Sequence, residues 1–118
     1  MTPESPIEQA EFEALLELLE RDTMREVVAM FARSAPERLR LARDGISSGE
    51  APVVVTAFHT MRSGCGQLGG RVLEALCADA ERAAKTGDLR RAGVLLDEVA
   101  LELERCLDWF RQHGWVDS

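Results

Sequence analysis

The chain has 118 residues and a formal net charge of −7, a length that suits one domain around one core. A negative balance of that size argues against nonspecific nucleic-acid binding and against docking on an anionic membrane surface. No stretch approaches the ~20-residue apolar run of a membrane helix. The start, Met1-Thr2-Pro3-Glu4-Ser5-Pro6, lacks the basic-then-apolar pattern of a secretory signal. Cys65, Cys77 and Cys106 lie far apart on apolar helical positions, as expected of reduced, buried thiols and not of a disulfide framework. The expectation is a cytoplasmic single domain over residues 1–118.

Ser5-Pro6-Ile7-Glu8 has the form of a capping box with proline at the first helical position. It predicts an N-terminal helix over about 6–20, with Phe12, Leu15, Leu16, Leu18 and Leu19 on its apolar side. Asp22 then reads as the cap of a second helix. That helix carries a continuous stripe of Met24, Val27, Val28, Phe31, Ala35, Leu39, Ala42 and Ile46. Pro36 falls inside it and is expected to bend it or loosen one turn. Ser47-Ser48-Gly49 ends it, and Pro52 suits the first turn of a third helix.

Gly69-Gly70 breaks the third helix. A fourth follows with Val72, Leu73, Leu76, Cys77, Ala80 and Ala83 inward, up to Thr86-Gly87. Asp88 caps a fifth, whose stripe runs from Leu89 through Leu95, Leu96, Val99, Leu103 and Cys106 to Phe110, with Gly114 as its stop. There is no strand pattern, repeat or linker. Long amphipathic helices joined by short turns imply an all-α fold of antiparallel, up-and-down neighbours, with the bundle core over about 22–113.

The third helix carries the chemistry. Val54, Ala57, Phe58, Met61, Cys65 and Leu68 recur at three- and four-residue steps, so they form its buried stripe. At ~100° per residue, His59 falls roughly 140° from the centre of that stripe, with Thr56, Ser63 and Gly66 within about 60° of it. The imidazole therefore points to solvent among short side chains. Gly64 and Gly66 each cost ~1 kcal/mol against alanine in a helix interior. Gly66 lies on the histidine face, where a missing side chain admits another surface, and Gly64 lies where close helix crossing explains it equally well. Arg62, one turn after His59, offers a planar donor fork suited to phosphate. A neutral imidazole beside a guanidinium is a candidate phosphoacceptor.

In this arrangement the chain resembles the histidine-containing phosphotransfer (HPt) domains of multistep two-component signalling, from about Phe12 to Phe110. The family motif is similar to His-x-Leu-Lys-Gly-Ser followed by Leu-Gly; here it reads His59-Thr60-Met61-Arg62-Ser63-Gly64, then Leu68-Gly69. Phe31-Ala32-Arg33-Ser34-Ala35-Pro36 and Lys85-Thr86-Gly87-Asp88 match the supporting stretches. Arg62 stands at the family's lysine position, Ser63 at its glycine position, and Phe58 replaces the alanine before the histidine. The resemblance implies an antiparallel four-helix bundle with an additional N-terminal helix. It implies that His59 takes a phosphoryl group from a receiver-domain aspartate and passes it to another receiver, with Arg62 stabilising the group. Response-regulator receivers and a hybrid sensor kinase are the implied partners, and the motif requires only a monomer.

The same reading places docking on Val55, Thr56, Ser63, Gly66 and Gln67. Arg33, Arg38, Arg40 and Arg43 either steer an acidic receiver or form a solvated face. No glycine-rich nucleotide loop is present, so the chain is read as a carrier and not as an ATP-using kinase. No metal-ligand cluster stands out: the i+6 spacing of His59 and Cys65 puts them on different faces. The expected cofactor is none, the divalent ion belonging to the receiver. The remaining alternative is a binding module with the same bundle that regulates a receiver or kinase by docking alone. His113 reads as a structural cation at a helix end.

Overall fold

A computed structural model describes residues 5–117, and among these every regular element is an α-helix. The helices are α1 (Gln9–Ser48), α2 (Ala51–Gln67), α3 (Arg71–Lys85) and α4 (Leu89–Gln112). They close a ring in which α1 and α3 each pack against both α2 and α4. Neighbours run in opposite directions. Phe31 and Ile46 of α1 meet Phe110 and Gly93 of α4. Gly45 and Phe31 of α1 lie against Val54 and Gly64 of α2. No helix among the described residues is long and apolar enough to cross a membrane.

Three boundaries differ from the sequence expectation. The first helix starts at Gln9, with Glu8 as an N-cap that makes no side-chain bond. Ser5 instead closes a local turn, its hydroxyl donating to the Ile7 carbonyl at 2.7 Å. Burial explains the change: Ile7 is fully covered and the Glu8 amide donates to Gly69 O at 2.8 Å, so tertiary contact overrides the capping box. Residues 1–4 of the start pattern lie outside the described residues. The second difference is that α1 breaks at Glu20 (φ 65°, ψ 163°), so Asp22 sits inside the following helical segment and caps nothing. Third, Pro36 leaves helical dihedrals intact. It lies on the exposed side, where water can serve the carbonyl one turn back, while Phe31 and Ala35 anchor the inner face.

The other ends follow their signals. Pro52 lies in the first turn of α2. Asp88 caps α4 by accepting from the Arg91 amide at 3.1 Å. The core is built on Met24, Val28, Val54, Phe58, Met61, Leu68, Leu73, Val99 and Phe110. Leu18 and Val72, expected inward, are instead exposed. Val72 is the less exposed of the two and lines a cleft with Ser5, Ile7 and Glu8.

The region before Glu20 is held at one end of the ring. Phe12 packs edge-on against Trp109 and Trp115, with ring centroids 5.3 and 5.1 Å away. Arg71 pairs with Glu11 across the same contact. Gly69 has φ 86°, and a Cβ there would stand 2.9 Å from Glu8 O, so the turn after α2 admits only glycine. All three cysteines are free and buried. Contact with Cys77 and burial push the Cys65 thiol up, and burial pushes Cys106 up to about 12. Buried in this way, the three side chains serve as small apolar packing groups.

Candidate functional site

His59 stands midway along α2 with its side chain 56% exposed. The inner face of the same helix, Val54, Ala57, Phe58, Met61 and Cys65, is fully buried and fixes its rotation about its axis. Both recorded contacts of the imidazole fall on Nδ1: Arg62 Nη2 at 3.0 Å and Glu81 Oε2 at 3.3 Å. The opposite nitrogen, Nε2, is left for the open side of the ring.

Glu81 is the residue that the sequence reading missed. It comes from α3 and its side chain is only 6% exposed. An isolated carboxylate at that depth is costly, so its partners matter. Arg62 Nε lies 3.1 Å from Oε1, an ion pair without hydrogen-bond alignment, and Lys85 Nζ lies 3.1 Å from Oε2. Burial pushes the Glu81 carboxyl up, but contact with Lys85, the Arg62 charge and the His59 bond outweigh it and hold it below the ordinary carboxylate range. The site is therefore a buried anion ringed by an imidazole, a guanidinium and an ammonium. A signal was present: Glu81 interrupts the small inward residues Ala80, Ala83 and Ala84 of α3.

Nδ1 is contested. Arg62 can donate to it only as a lone pair, whereas Glu81 can accept from it only as N–H. A proton on Nδ1 leaves the Nε2 lone pair free to attack an electrophile, and frees Arg62 Nη2 for an anionic group arriving there.

The other expected residues are placed as follows. Thr56, Ser63 and Gln67 are exposed on α2, while Val55 is half-buried against the core. Thr56 lines a mostly apolar groove with Arg38, Leu41, Pro52, Val53 and Ala57, one turn before His59. Gly66 departs from its expectation. A Cβ there would lie 2.3 Å from Glu74 Oε2, so the gap is filled by the chain's own α3 and not left open to a partner. At Gly64 a Cβ would meet Phe31 at 3.2 Å, which identifies close helix crossing as its use. Arg40 is engaged with Glu37 and Asp44 on the solvated side of α1. His113 stacks on Trp109 and donates Nδ1–H to its carbonyl at 2.8 Å. Trp115 is buried in the same cluster. Among the described residues there is no group of three or more His, Cys, Asp or Glu side chains arranged to hold a metal ion.

Comparison with known proteins adds two findings. The family profile described as "Hpt domain" matches residues 26–110. The fold is similar to the crystal structure of histidine-containing phosphotransfer protein B (HptB) from Pseudomonas aeruginosa PAO1, with a TM-score of 0.88 and 23% identity over 94% of this chain and 96% of that one. No curated protein matches the chain in sequence.

Proposed function

The chain belongs to the Hpt domain family, the histidine phosphotransfer modules of phosphorelays, and from that premise we propose that His59 is its phosphoacceptor. The group comes from a receiver-domain aspartate and passes to a second response-regulator receiver, with a hybrid sensor kinase upstream. One observation carries this reading: an exposed imidazole engaged, among the described residues, at Nδ1 by Glu81 and Arg62.

The Nε2 lone pair attacks the phosphorus of the aspartyl phosphate. The N–P bond forms as the P–O bond breaks, and the aspartate carboxylate leaves with the electron pair. The Nδ1 proton stays between the ring and Glu81, whose negative charge balances the ring as it becomes cationic. Arg62 meets the phosphoryl oxygens, where a guanidinium fork is well matched. Transfer of this kind depends on positioning and charge, with little covalent work for the protein. The divalent cation belongs to the receiver.

Docking uses the face around His59: Thr56, Ser63 and Gln67, and the edge of Val55. The pairwise packing supports an antiparallel, up-and-down four-helix bundle in which the segment before Glu20 is the additional N-terminal helix, and the proposal takes the chain as a cytoplasmic monomer.

The test is a transfer assay from phosphorylated receiver domains to the purified chain, with His59→Ala beside it. We expect acid-labile, alkali-stable label on the wild type and none on the variant. Wild type that binds a phosphorylated receiver without taking label would assign the chain to docking alone.

A further inference from the structure

We propose that Lys85 is a positioning residue for the phosphoacceptor: its ammonium holds Glu81 Oε2 against His59 Nδ1 and thereby keeps the ring proton on Nδ1 and the lone pair on Nε2. The proposal rests on the functional reading given above and extends it to a residue one helical turn beyond Glu81.

The two oxygens of Glu81 are divided. Oε1 faces Arg62 Nε at 3.1 Å, while Oε2 is shared by Lys85 Nζ at 3.1 Å and His59 Nδ1 at 3.3 Å. One carboxylate oxygen has lone pairs for both. The competitor is Arg62, whose Nη2 stands 3.0 Å from Nδ1. A guanidinium prefers a carboxylate bidentately, with two parallel bonds to its two oxygens. Without Lys85, Oε2 would be drawn round to that fork and away from Nδ1, and the ring would lose that acceptor.

Lys85 suits this task. It sits in the last turn of α3, at i+4 from Glu81, with its side chain 61% exposed. A cation one turn along the same helix anchors Oε2 while Oε1 stays with Arg62. Arg82, which lines the same cleft as Arg62, Glu81 and Lys85, is held by Asp79 at 2.9 Å and does not substitute for it.

The experiment compares wild type, Lys85→Met and Lys85→Arg. Long-range 1H–15N correlation of the His59 ring, at about pH 9 where an ordinary imidazole is neutral, reads the tautomer. Phosphoryl transfer from a receiver domain reads the consequence, and thermal melting checks that the variants are folded. We expect mainly Nδ1–H in wild type, a shift toward Nε2–H in Lys85→Met with a three- to tenfold slower transfer, and recovery of both in Lys85→Arg. A tautomer balance that does not move in Lys85→Met overturns the proposal, even where transfer slows, because the loss would then belong to the partner surface. Failure of Lys85→Arg to recover it also overturns the proposal. A tautomer shift as expected in a chain that accepts no label would instead overturn the functional reading and leave Lys85's hold on Glu81 standing.

Discussion

At the residue scale, His59 and Glu81 show opposite limits of reading a site from sequence. The exposure of His59 follows from counting apolar positions along one helix, because a buried stripe fixes which residues face away from it. The same count along α3 marks Glu81 only as a glutamate among small inward residues and gives it no role. Its meaning depends on α3 lying beside α2, and a glutamate in a helix is ordinarily a solvated residue. Glu81 also sets a pH dependence. A carboxyl held below its ordinary value binds its proton more weakly in the folded chain than in the unfolded one, so stability falls as pH falls. The contribution of ionised Glu81 is present above the ordinary glutamate value of ~4.3 and is lost as pH drops through its lowered folded value. We expect Glu81→Gln to be less stable than wild type by about 1 kcal/mol at pH 7, since three charged contacts are weakened but their partners are half-solvated. Urea unfolding at pH 7, 5 and 3 should show that gap holding from pH 7 to 5 and shrinking at pH 3. A gap that widened in acid would contradict the charge assignment of this site.

At the element scale, helix ends were legible where residue chemistry marks them, as at Asp88, Pro52 and Gly69. The break in α1 was legible to within two residues, from the end of the first apolar stripe and the Asp22 signal; its exact place was not, because Glu20 carries no turn signal. Backbone geometry there is severe: φ 65° with ψ 163° is a region that only glycine enters freely. Glu20 is also exposed, so its side chain has no packing to lose. Strain of that kind costs about 1–3 kcal/mol, against at most about 1 kcal/mol of extra chain entropy for glycine. Glu20→Gly should therefore stabilise the protein by about 1 kcal/mol, read as a higher midpoint in urea with an unchanged slope. A lower midpoint would show that the turn is held by contacts of the glutamate itself. Pro36 teaches the converse lesson: a strong local breaker fails where packing on either side holds the axis.

At the scale of the whole molecule, chemistry and stability are drawn from different parts of the chain. His59, Arg62, Glu81 and Lys85 lie on α2 and α3, inside the residues 26–110 that match the family. The segment before Glu20 lies outside that match, yet Phe12 is 2% exposed and sits among Trp109, Phe110 and Trp115 at the end of α4. Those two tryptophans are the only ones in the sequence, so their fluorescence reports on this cluster alone. Removing the Phe12 ring leaves a cavity that its neighbours fill only in part, at a cost of about 3–5 kcal/mol. The ring contacts of Phe12 are with Trp109, Phe110 and Trp115, none of which is His59, Arg62, Glu81 or Lys85. We therefore expect Phe12→Ala to shift tryptophan emission to the red and to lower the unfolding midpoint strongly. Phosphoryl acceptance, measured at a temperature where the variant is still folded, should stay within twofold of wild type. Should acceptance fall by tenfold or more in the folded variant, the N-terminal segment would be coupled to the site through α4 and α3. The separation of chemistry from support would then be wrong.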